Sequence, residues 1–259
     1  MSEIDDTQAP LLDHLIELRR RLLWSFLALA IAFGGCMYFA RQILRFLVAP
    51  LKAAGQVTVI NTEVVGGFFV ELKVAFFAAL MIAFPVIANQ LWQFVAPGLY
   101  RKEKRALLPF LLATPVLFLL GASMAYFVAI PAALKFLLAF QGDLDGVKQE
   151  ALLEINNYLK FTMQFVFGFG LSFLLPVLLM LLENAGIVTF EQLKGAWRYA
   201  TVGAFALSAV LTPPDIGSQL LLAIPLVGLY FLSLVAIWFT RRRREKLAEA
   251  ETENEAGAA

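Results

Sequence analysis

The sequence predicts an all-α integral membrane protein with several transmembrane helices. Of its 259 residues, 60% are hydrophobic and only 16% are charged, a composition that soluble domains of this length do not have. The apolar residues are gathered into six runs that are long enough, or nearly so, to cross about 30 Å of hydrocarbon as helices. The basic residues flank these runs unequally. Together these observations predict a polytopic protein whose main solvent is the bilayer.

Six spans follow from the apolar runs, and we expect residues 1–240 to form a single six-helix membrane domain. The fifth run holds roughly 15 residues, which rise only about 23 Å as a helix. We therefore expect local bilayer thinning or partner helices around the last hairpin. The predicted spans lie at about residues 22–39, 74–92, 107–130, 161–182, 197–211 and 220–239.

The distribution of Lys and Arg predicts the orientation. Counted by alternate loops, 14 of the 21 basic residues lie on the side that holds both termini, and 7 lie on the other side. Because basic residues accumulate in cytoplasmic loops, both termini are predicted to be cytoplasmic. The net charge is only +1, so Arg241 to Arg244 are interpreted as a topological anchor rather than as a nucleic-acid patch. Residues 241–259 are predicted to be this anchor and a disordered cytoplasmic tail without an apolar face.

Neither a targeting segment nor an enzyme active site is indicated. The chain opens with acidic residues, and its first run has no small-residue cleavage site, so insertion into a bacterial inner membrane is the simplest interpretation. His14 is the only histidine and precedes the spans, which disfavours an intramembrane serine protease. Zinc-protease and nucleotide-binding motifs are absent. Cys36 is the only cysteine, so we expect no metal site, no cofactor and no enzymatic activity.

The segment before the first span is amphipathic and is expected to lie along the membrane surface. Glu17 and Arg21 are four residues apart on its polar side. On chemistry alone, a helix contact worth about 0.2–0.5 kcal/mol explains this pair as well as a binding site does. The apolar stripe comprises Leu11, Leu15, Leu18 and Leu22, and the polar arc comprises Asp13, His14, Glu17 and Arg21.

The link between the second and third spans is short and basic. It reads FVAPGLYRKEKR over residues 94–105, with Glu103 as its one acid among four bases. Taken alone, this composition favours a loop that its positive charge holds on the cytoplasmic side.

Three stretches taken together resemble the signature of the TatC family: HLIELRRRL at residues 14–22, the link at residues 94–105, and LTPPD at residues 211–215. The similarity covers residues from about 7 to 240. In that family the protein is the core receptor of a complex with the single-span partners TatA and TatB. This complex moves folded proteins that carry a twin-arginine signal peptide and draws on the proton-motive force. The resemblance implies a concave, glove-like arrangement of the six helices rather than a pore.

The resemblance also implies a signal-peptide site at the cytoplasmic face. A guanidinium presents a planar fork that a carboxylate accepts in two parallel hydrogen bonds, which lysine does not imitate. By motif position, Glu17 and Glu103 are the residues expected to bind the two arginines of the signal. The residues expected to flank or shape the site are Arg19, Arg21, Phe94, Pro97 and Tyr100.

Five further residues are candidates for structural or partner contacts. Pro50 is expected to form a rigid turn before the outer loop. Tyr126 suits a hydrogen bond within the concave face and an aromatic belt equally well. Asp215 is interpreted as a helix N-cap, with partner contact as the alternative. Gln164 and Gln219 are expected to hydrogen-bond with partner helices.

The fourth span departs from the family pattern at Leu174, where many members carry a glutamate. A carboxylate in the membrane is costly and is normally functional. We therefore expect no mechanism in this chain that depends on that acid.

Two other classes of function remain as alternatives. A multi-pass small-molecule or ion transporter would need charged residues in mid-bilayer or matching broken helices in two halves, and the six runs do not clearly supply either. A purely structural scaffold would tolerate the loss of Glu17 and Glu103. Mutation of these two residues separates the receptor from the scaffold.

Overall fold

The computed structural model describes residues 3–55, 59–60, 66–99, 104–139, 142–144, 147–149, 153–212 and 215–257. Its architecture is predominantly helical, as predicted. The helices are α1 (Glu3–Tyr38), α2 (Ala40–Ala53), α3 (Gly66–Leu99), α4 (Lys104–Met124), α5 (Ile130–Leu138), α6 (Ile155–Ser172), α7 (Leu175–Asn184), α8 (Phe190–Gly195), α9 (Trp197–Leu211) and α10 (Ile216–Gly257). A π-helical turn, Ala125–Ala129, joins α4 to α5.

Short strands lie in two of the links between helices. Strand β1 (Val59–Ile60) pairs in parallel with β4 (Leu153–Glu154). Strand β2 (Gly142–Leu144) pairs antiparallel with β3 (Val147–Gln149). The β1–β4 pair connects the link after α2 to the start of α6.

Five helical segments in the described part of the chain are long and apolar enough to cross a membrane. The predicted fifth span coincides with α9, Trp197–Leu211, whose 15 residues are fewer than the about 20 that a full crossing needs. The five segments are His14–Tyr38, Gly66–Phe94, Leu111–Leu138, Ile155–Asn184 and Ile216–Arg243.

The two terminal segments compare differently with the sequence prediction. The amphipathic segment before the first span is a helix that continues into the span in α1, Glu3–Tyr38, as its sequence predicts. The tail that was predicted to be disordered continues α10 as helix to Gly257. Ala and Glu, which dominate this tail, are strong helix formers, and extending an existing helix avoids the cost of nucleation.

The predicted fourth span is two helices rather than one. Helix α6 ends at Ser172 and α7 begins at Leu175, with Pro176 in its first turn. Proline suits the first turn of a helix but interrupts a longer one, because it has no N–H to donate. Leu174 lies at this break and packs against a cluster of Phe84, Ala88 and Phe118. The position where the family often carries glutamate is therefore apolar in its surroundings as well as in its side chain.

Helices α4 and α6 approach closely at two glycines in the core. A Cβ atom on Gly121 would lie 2.6 Å from the backbone oxygen of Phe169, and one on Gly170 would lie 2.6 Å from the ring of Phe118. Phe118, Phe165 and Phe169 are fully or almost fully buried around this crossing. The small residues allow the two backbones to pack as close neighbours, which is typical of helix contacts in membranes.

We expect Gly121→Ala to lower the free energy of unfolding by about 1–2 kcal/mol, because a backbone oxygen cannot move aside unless α4 and α6 separate. Gly203→Ala is the matched control. Nothing lies within 4 Å of its added Cβ, and alanine favours the interior of α9 more than glycine does. Thermal unfolding in detergent measures both variants. Equal melting temperatures would contradict the close approach.

Candidate functional site

Helices α1 and α3 pack antiparallel, so the first half of α1 meets the last turns of α3. The contacts run from His14 against Phe94 near one end to Phe33 against Phe76 nearer the other. The imidazole of His14 stacks on the ring of Phe94, with centroids 4.3 Å apart and an interplanar angle of 18°. This stack fixes the end of α3 beside the polar side of α1.

Two turns further along α1, Arg21 joins the two helices through a group that we call the Arg21 cluster: Glu17, Arg21, Gln90 and Gln93. The Nε atom of Arg21 donates to Oε1 of Glu17 at 3.0 Å, and Nη2 donates to the same oxygen. Its Nη1 donates to Oε1 of Gln93 at 2.7 Å and to Oε1 of Gln90 at 3.4 Å. The cluster therefore binds one guanidinium with one carboxylate and two amide oxygens.

The two charged members of the cluster differ in exposure. The side chain of Arg21 is 14% exposed, whereas that of Glu17 is 28% exposed. Both bonds from Arg21 reach Oε1 of Glu17, and no described residue donates to Oε2. A carboxylate oxygen with free lone pairs accepts charge-assisted hydrogen bonds from a second guanidinium. The arrangement is chemically suited to bind an arginine side chain that approaches α1 and α3.

The structure does not bring every predicted site residue to this cluster. Arg19 is exposed and is two residues from Glu17, which places it about 200° around α1 and away from α3. Glu103 and Tyr100 lie outside the described residues, as does the side chain of Pro97. Among the described residues, no three His, Cys, Asp or Glu side chains form a group able to hold a metal ion.

Sequence reasoning missed Gln90 and Gln93. The signal for them is present, since two amides three residues apart share one face of a helix, and polar groups inside an apolar run are normally paired or functional. A second hydrogen bond fixes the orientation of the Gln93 amide. Its Nε2 donates to Oδ1 of Asn89 at 3.0 Å. Its Oε1 is thereby turned toward Arg21.

The prediction of a rigid turn at Pro50 is wrong, because this residue is buried inside α2. A proline within a helix has no N–H for the carbonyl four residues earlier, which here is that of Phe46. The hydroxyl of Tyr126 donates to this carbonyl at 2.5 Å, and its ring stacks on Phe46 with centroids 4.3 Å apart. Tyr126 is only 8% exposed and joins α2 to the π-helical turn.

The remaining candidates lie on α6 and in the hairpin between α9 and α10. Asp215 caps α10, since Oδ1 accepts from the N–H of Ser218 at 2.7 Å and the Ser218 hydroxyl donates to Oδ2. Gln219 joins the two helices: its Nε2 donates to the carbonyl of Phe205 at 3.4 Å. Gln164 is half-buried on α6 and makes no hydrogen bond with the residues that the structure describes.

Comparisons with known proteins identify relatives over most of the chain. The family model described as Sec-independent protein translocase protein (TatC) matches residues 13–225. The TatC protein of Magnetococcus marinus is 43% identical over 253 residues, which are 97% of this chain and 91% of that protein. The TatC protein of Escherichia coli K12 is 41% identical, over 97% of this chain and 98% of its own length.

A solved structure agrees with these matches. The crystal structure of the twin arginine translocase receptor TatC in DDM superposes with a TM-score of 0.78 at 39% identity, covering 86% of this chain and 98% of its own. With five helices apolar enough to span a membrane, the chain is a multi-pass inner-membrane protein and a subunit of a non-enzymatic protein-transport system. It belongs to the TatC family of Sec-independent protein translocase proteins.

Proposed function

We propose that this chain is the core receptor subunit of the twin-arginine translocase. In this proposal it binds the twin-arginine signal peptides of folded precursors at the Arg21 cluster and the adjoining link of residues 100–103. With TatA- and TatB-type single-span partners it then supports export driven by the proton-motive force. The observation that carries the proposal is the carboxylate of Glu17, which binds one guanidinium through Oε1 and has no described donor at Oε2.

The cluster supports this function because it already recognises a guanidinium within the chain. The side chain of Arg21 is held by one carboxylate and two amide oxygens, so its role is to position Glu17 against α3. An arginine of the signal binds Oε2 of Glu17, and the second arginine binds Glu103. Phe94, fixed by its stack on His14, leads into the link that carries Glu103.

The other site residues have supporting roles in this proposal. Pro97 and Tyr100 shape the link, and Arg19 flanks the site from the far side of α1. The apolar core of the signal enters the bilayer beside the cluster, with a gain of about 0.8 kcal/mol for each buried CH₂ group. Leu22 and Leu91 are each 60% exposed near the cluster, and they offer an apolar surface for this segment.

The membrane arrangement that fits this role has six spans and both termini in the cytoplasm. Residues 1–240 form one concave, glove-like membrane domain in which α9 is the fifth of six spans and crosses a thinned bilayer or packs against a partner helix. Residues 241–259 lie on the cytoplasmic side and anchor the last span by their basic cluster. Gln164 is the proposed contact for a partner helix, because it has no described hydrogen bond of its own.

Photo-crosslinking tests the receptor function directly. A precursor with a photoreactive residue beside its arginine pair is added to membranes that contain the chain, and a matched precursor carries two lysines instead. We expect the lysine precursor to crosslink at least about ten-fold less, because a lysine cannot form two parallel bonds with a carboxylate. Equal crosslinking of the two precursors, or no contact with either, would rule out recognition of the arginine pair by this chain.

A further inference from the structure

A basic and aromatic cavity lies between α8 and the end of the last span. We call it the Arg241 cavity, and its volume is about 340 Å³. It belongs to neither the Arg21 cluster nor the TatC signature stretches. Its lining residues are Phe190, Glu191, Lys194, Trp238, Arg241 and Arg242.

The cavity is built by a fixed contact between α8 and α10. A capping box begins α8: the N–H of Thr189 donates to Oε1 of Gln192 at 2.9 Å, and the N–H of Gln192 donates to Oγ1 of Thr189 at 3.3 Å. The hydroxyl of the buried Tyr230 on α10 donates to the carbonyl of Leu193 at 2.5 Å. This bond and the burial of Leu193 hold the two walls of the cavity together.

The charge of the lining favours an anion. Lys194, Arg241 and Arg242 are cationic and Glu191 is the one acid, so the lining carries three positive charges and one negative charge, a net +2. Arg241 also lies 3.9 Å from the carboxylate of Glu183, a distance at which the pair is weak. No described acid forms an ion pair with Lys194 or Arg242.

Aromatic rings hold the two guanidinium groups in place. Arg242 lies 4.2 Å above the ring of Trp238, and Arg241 lies 5.7 Å from the ring of Phe190. In a cation–π contact the ring attracts the face of the guanidinium. The N–H groups at the edge of the guanidinium then stay available for the oxygens of a phosphate, which match their planar fork.

The position of the cavity indicates where the phosphate comes from. It lies where the apolar part of α10 gives way to Arg241 to Arg244, and tryptophans at such boundaries lie at the level of the lipid headgroups. Toward the bilayer the same face of α10 continues as an exposed apolar stripe, at spacings of three and four residues. The stripe consists of Phe231, Val235 and Trp238, which are 44%, 49% and 37% exposed, and Arg242 ends it.

We propose that the Arg241 cavity binds the phosphodiester headgroup of an anionic phospholipid. Lys194, Arg241 and Arg242 bind the phosphate oxygens, and the acyl chains lie along the apolar stripe of α10. A basic pocket between helices that is continuous with a lipid-facing apolar stripe suits a lipid better than a free anion, because only a lipid uses both surfaces. The site fixes α8 and the end of α10 to the membrane independently of signal-peptide binding.

The test measures the fluorescence of Trp238 in the full chain, reconstituted into phosphatidylcholine vesicles. A small fraction of the lipid is phosphatidylglycerol or phosphatidylcholine with brominated acyl chains, which quench nearby tryptophans. The signal of Trp238 is the difference between the native chain and Trp238→Phe. We expect brominated phosphatidylglycerol to quench this signal several-fold more than brominated phosphatidylcholine at the same mole fraction.

Charge variants show whether the cavity is responsible. A triple variant (Lys194→Gln, Arg241→Gln and Arg242→Gln) is expected to weaken phosphatidylglycerol binding on the order of 100-fold, since each basic group near a membrane contributes about five-fold. The matched control removes three exposed basic residues of α2 and α5 instead. This control is Arg45→Gln, Lys52→Gln and Lys135→Gln, and it is expected to keep the native preference.

Three results would overturn the proposal. They are equal quenching by the two brominated lipids, equal losses in the triple variant and its control, and competition by inorganic phosphate, which would indicate a site for free anions. Glu191→Gln keeps the test valid if the triple variant does not fold. It removes the one acid of the lining and is expected to raise the affinity for phosphatidylglycerol by about three- to five-fold, and an unchanged affinity would also count against the site.

Discussion

Glu17→Gln is expected to weaken the binding of a twin-arginine signal peptide by at least about ten-fold. The variant keeps the size of the side chain but removes the charge that strengthens a bond to arginine, and bonds to charged groups contribute about 1.5–3 kcal/mol. It also leaves Arg21, whose side chain is 14% exposed, without its counter-ion beside the incoming arginines. Titration of a labelled signal peptide into membranes that contain the chain measures the change.

Glu71→Gln is the matched control for this prediction. Glu71 accepts a hydrogen bond from Nε of Arg41 at 2.9 Å, and its side chain is 28% exposed, as is that of Glu17. The two carboxylates therefore have the same exposure and the same kind of partner, but Glu71 lies near the start of α3 and pairs with α2, whereas Glu17 lies beside the last turns of α3. If the two variants bind the signal equally well, the effect of Glu17 is not specific to a binding site.

Tyr126→Phe is expected to lower the free energy of unfolding by roughly 2–3 kcal/mol. The hydroxyl of Tyr126 donates to the carbonyl of Phe46, which has no helical donor because Pro50 has no N–H. Without the hydroxyl this part-buried carbonyl has no donor among the described residues, and an unsatisfied buried acceptor costs about 1–3 kcal/mol. Thermal or denaturant unfolding in detergent measures the loss.

Two further variants separate this mechanism from a general loss of packing. Pro50→Ala restores a backbone N–H that can donate to the carbonyl of Phe46. In that background Tyr126→Phe is therefore expected to lower the free energy of unfolding by less. The double-mutant cycle measures this coupling. Tyr158→Phe is the matched control. The hydroxyl of Tyr158 donates to the carbonyl of Leu47 at 2.8 Å, but Leu51 can still supply the helical donor there. Additive effects of Pro50→Ala and Tyr126→Phe would contradict the proposed role of the proline.

Local features of this chain could be predicted from its sequence. The apolar runs identify the helices because a span must satisfy its backbone hydrogen bonds internally, and α9 has the predicted bounds of 197–211. The pairing of Glu17 with Arg21 and the cap at Asp215 depend on residues three or four positions away, which the spacing of a helix brings together. These contacts require no knowledge of how the helices pack.

Contacts between helices could not be predicted in the same way. The bonds from Arg21 to Gln90 and Gln93 join residues about 70 positions apart, and they depend on how far α1 and α3 are shifted along each other. The position of Pro50 within α2 is likewise stabilised by a distant hydroxyl, that of Tyr126. Local propensity predicts a turn at a proline, whereas the hydrogen bond from the distant Tyr126 stabilises a helix here.

The π-helical turn Ala125–Ala129 determines how this span responds to changes in length. A π-helical turn accommodates one residue more than a regular α-helix. Deletion of one residue within it would restore regular α-helical geometry and largely keep the orientation of α5, because the wide turn has already absorbed that residue. A deletion in the regular turns of α4 would instead rotate α5 by about 100° about the helix axis, and the buried Ala133 and Leu134 would turn away from the core. We therefore expect the span to tolerate a single deletion at the π-helical turn better than one elsewhere in α4.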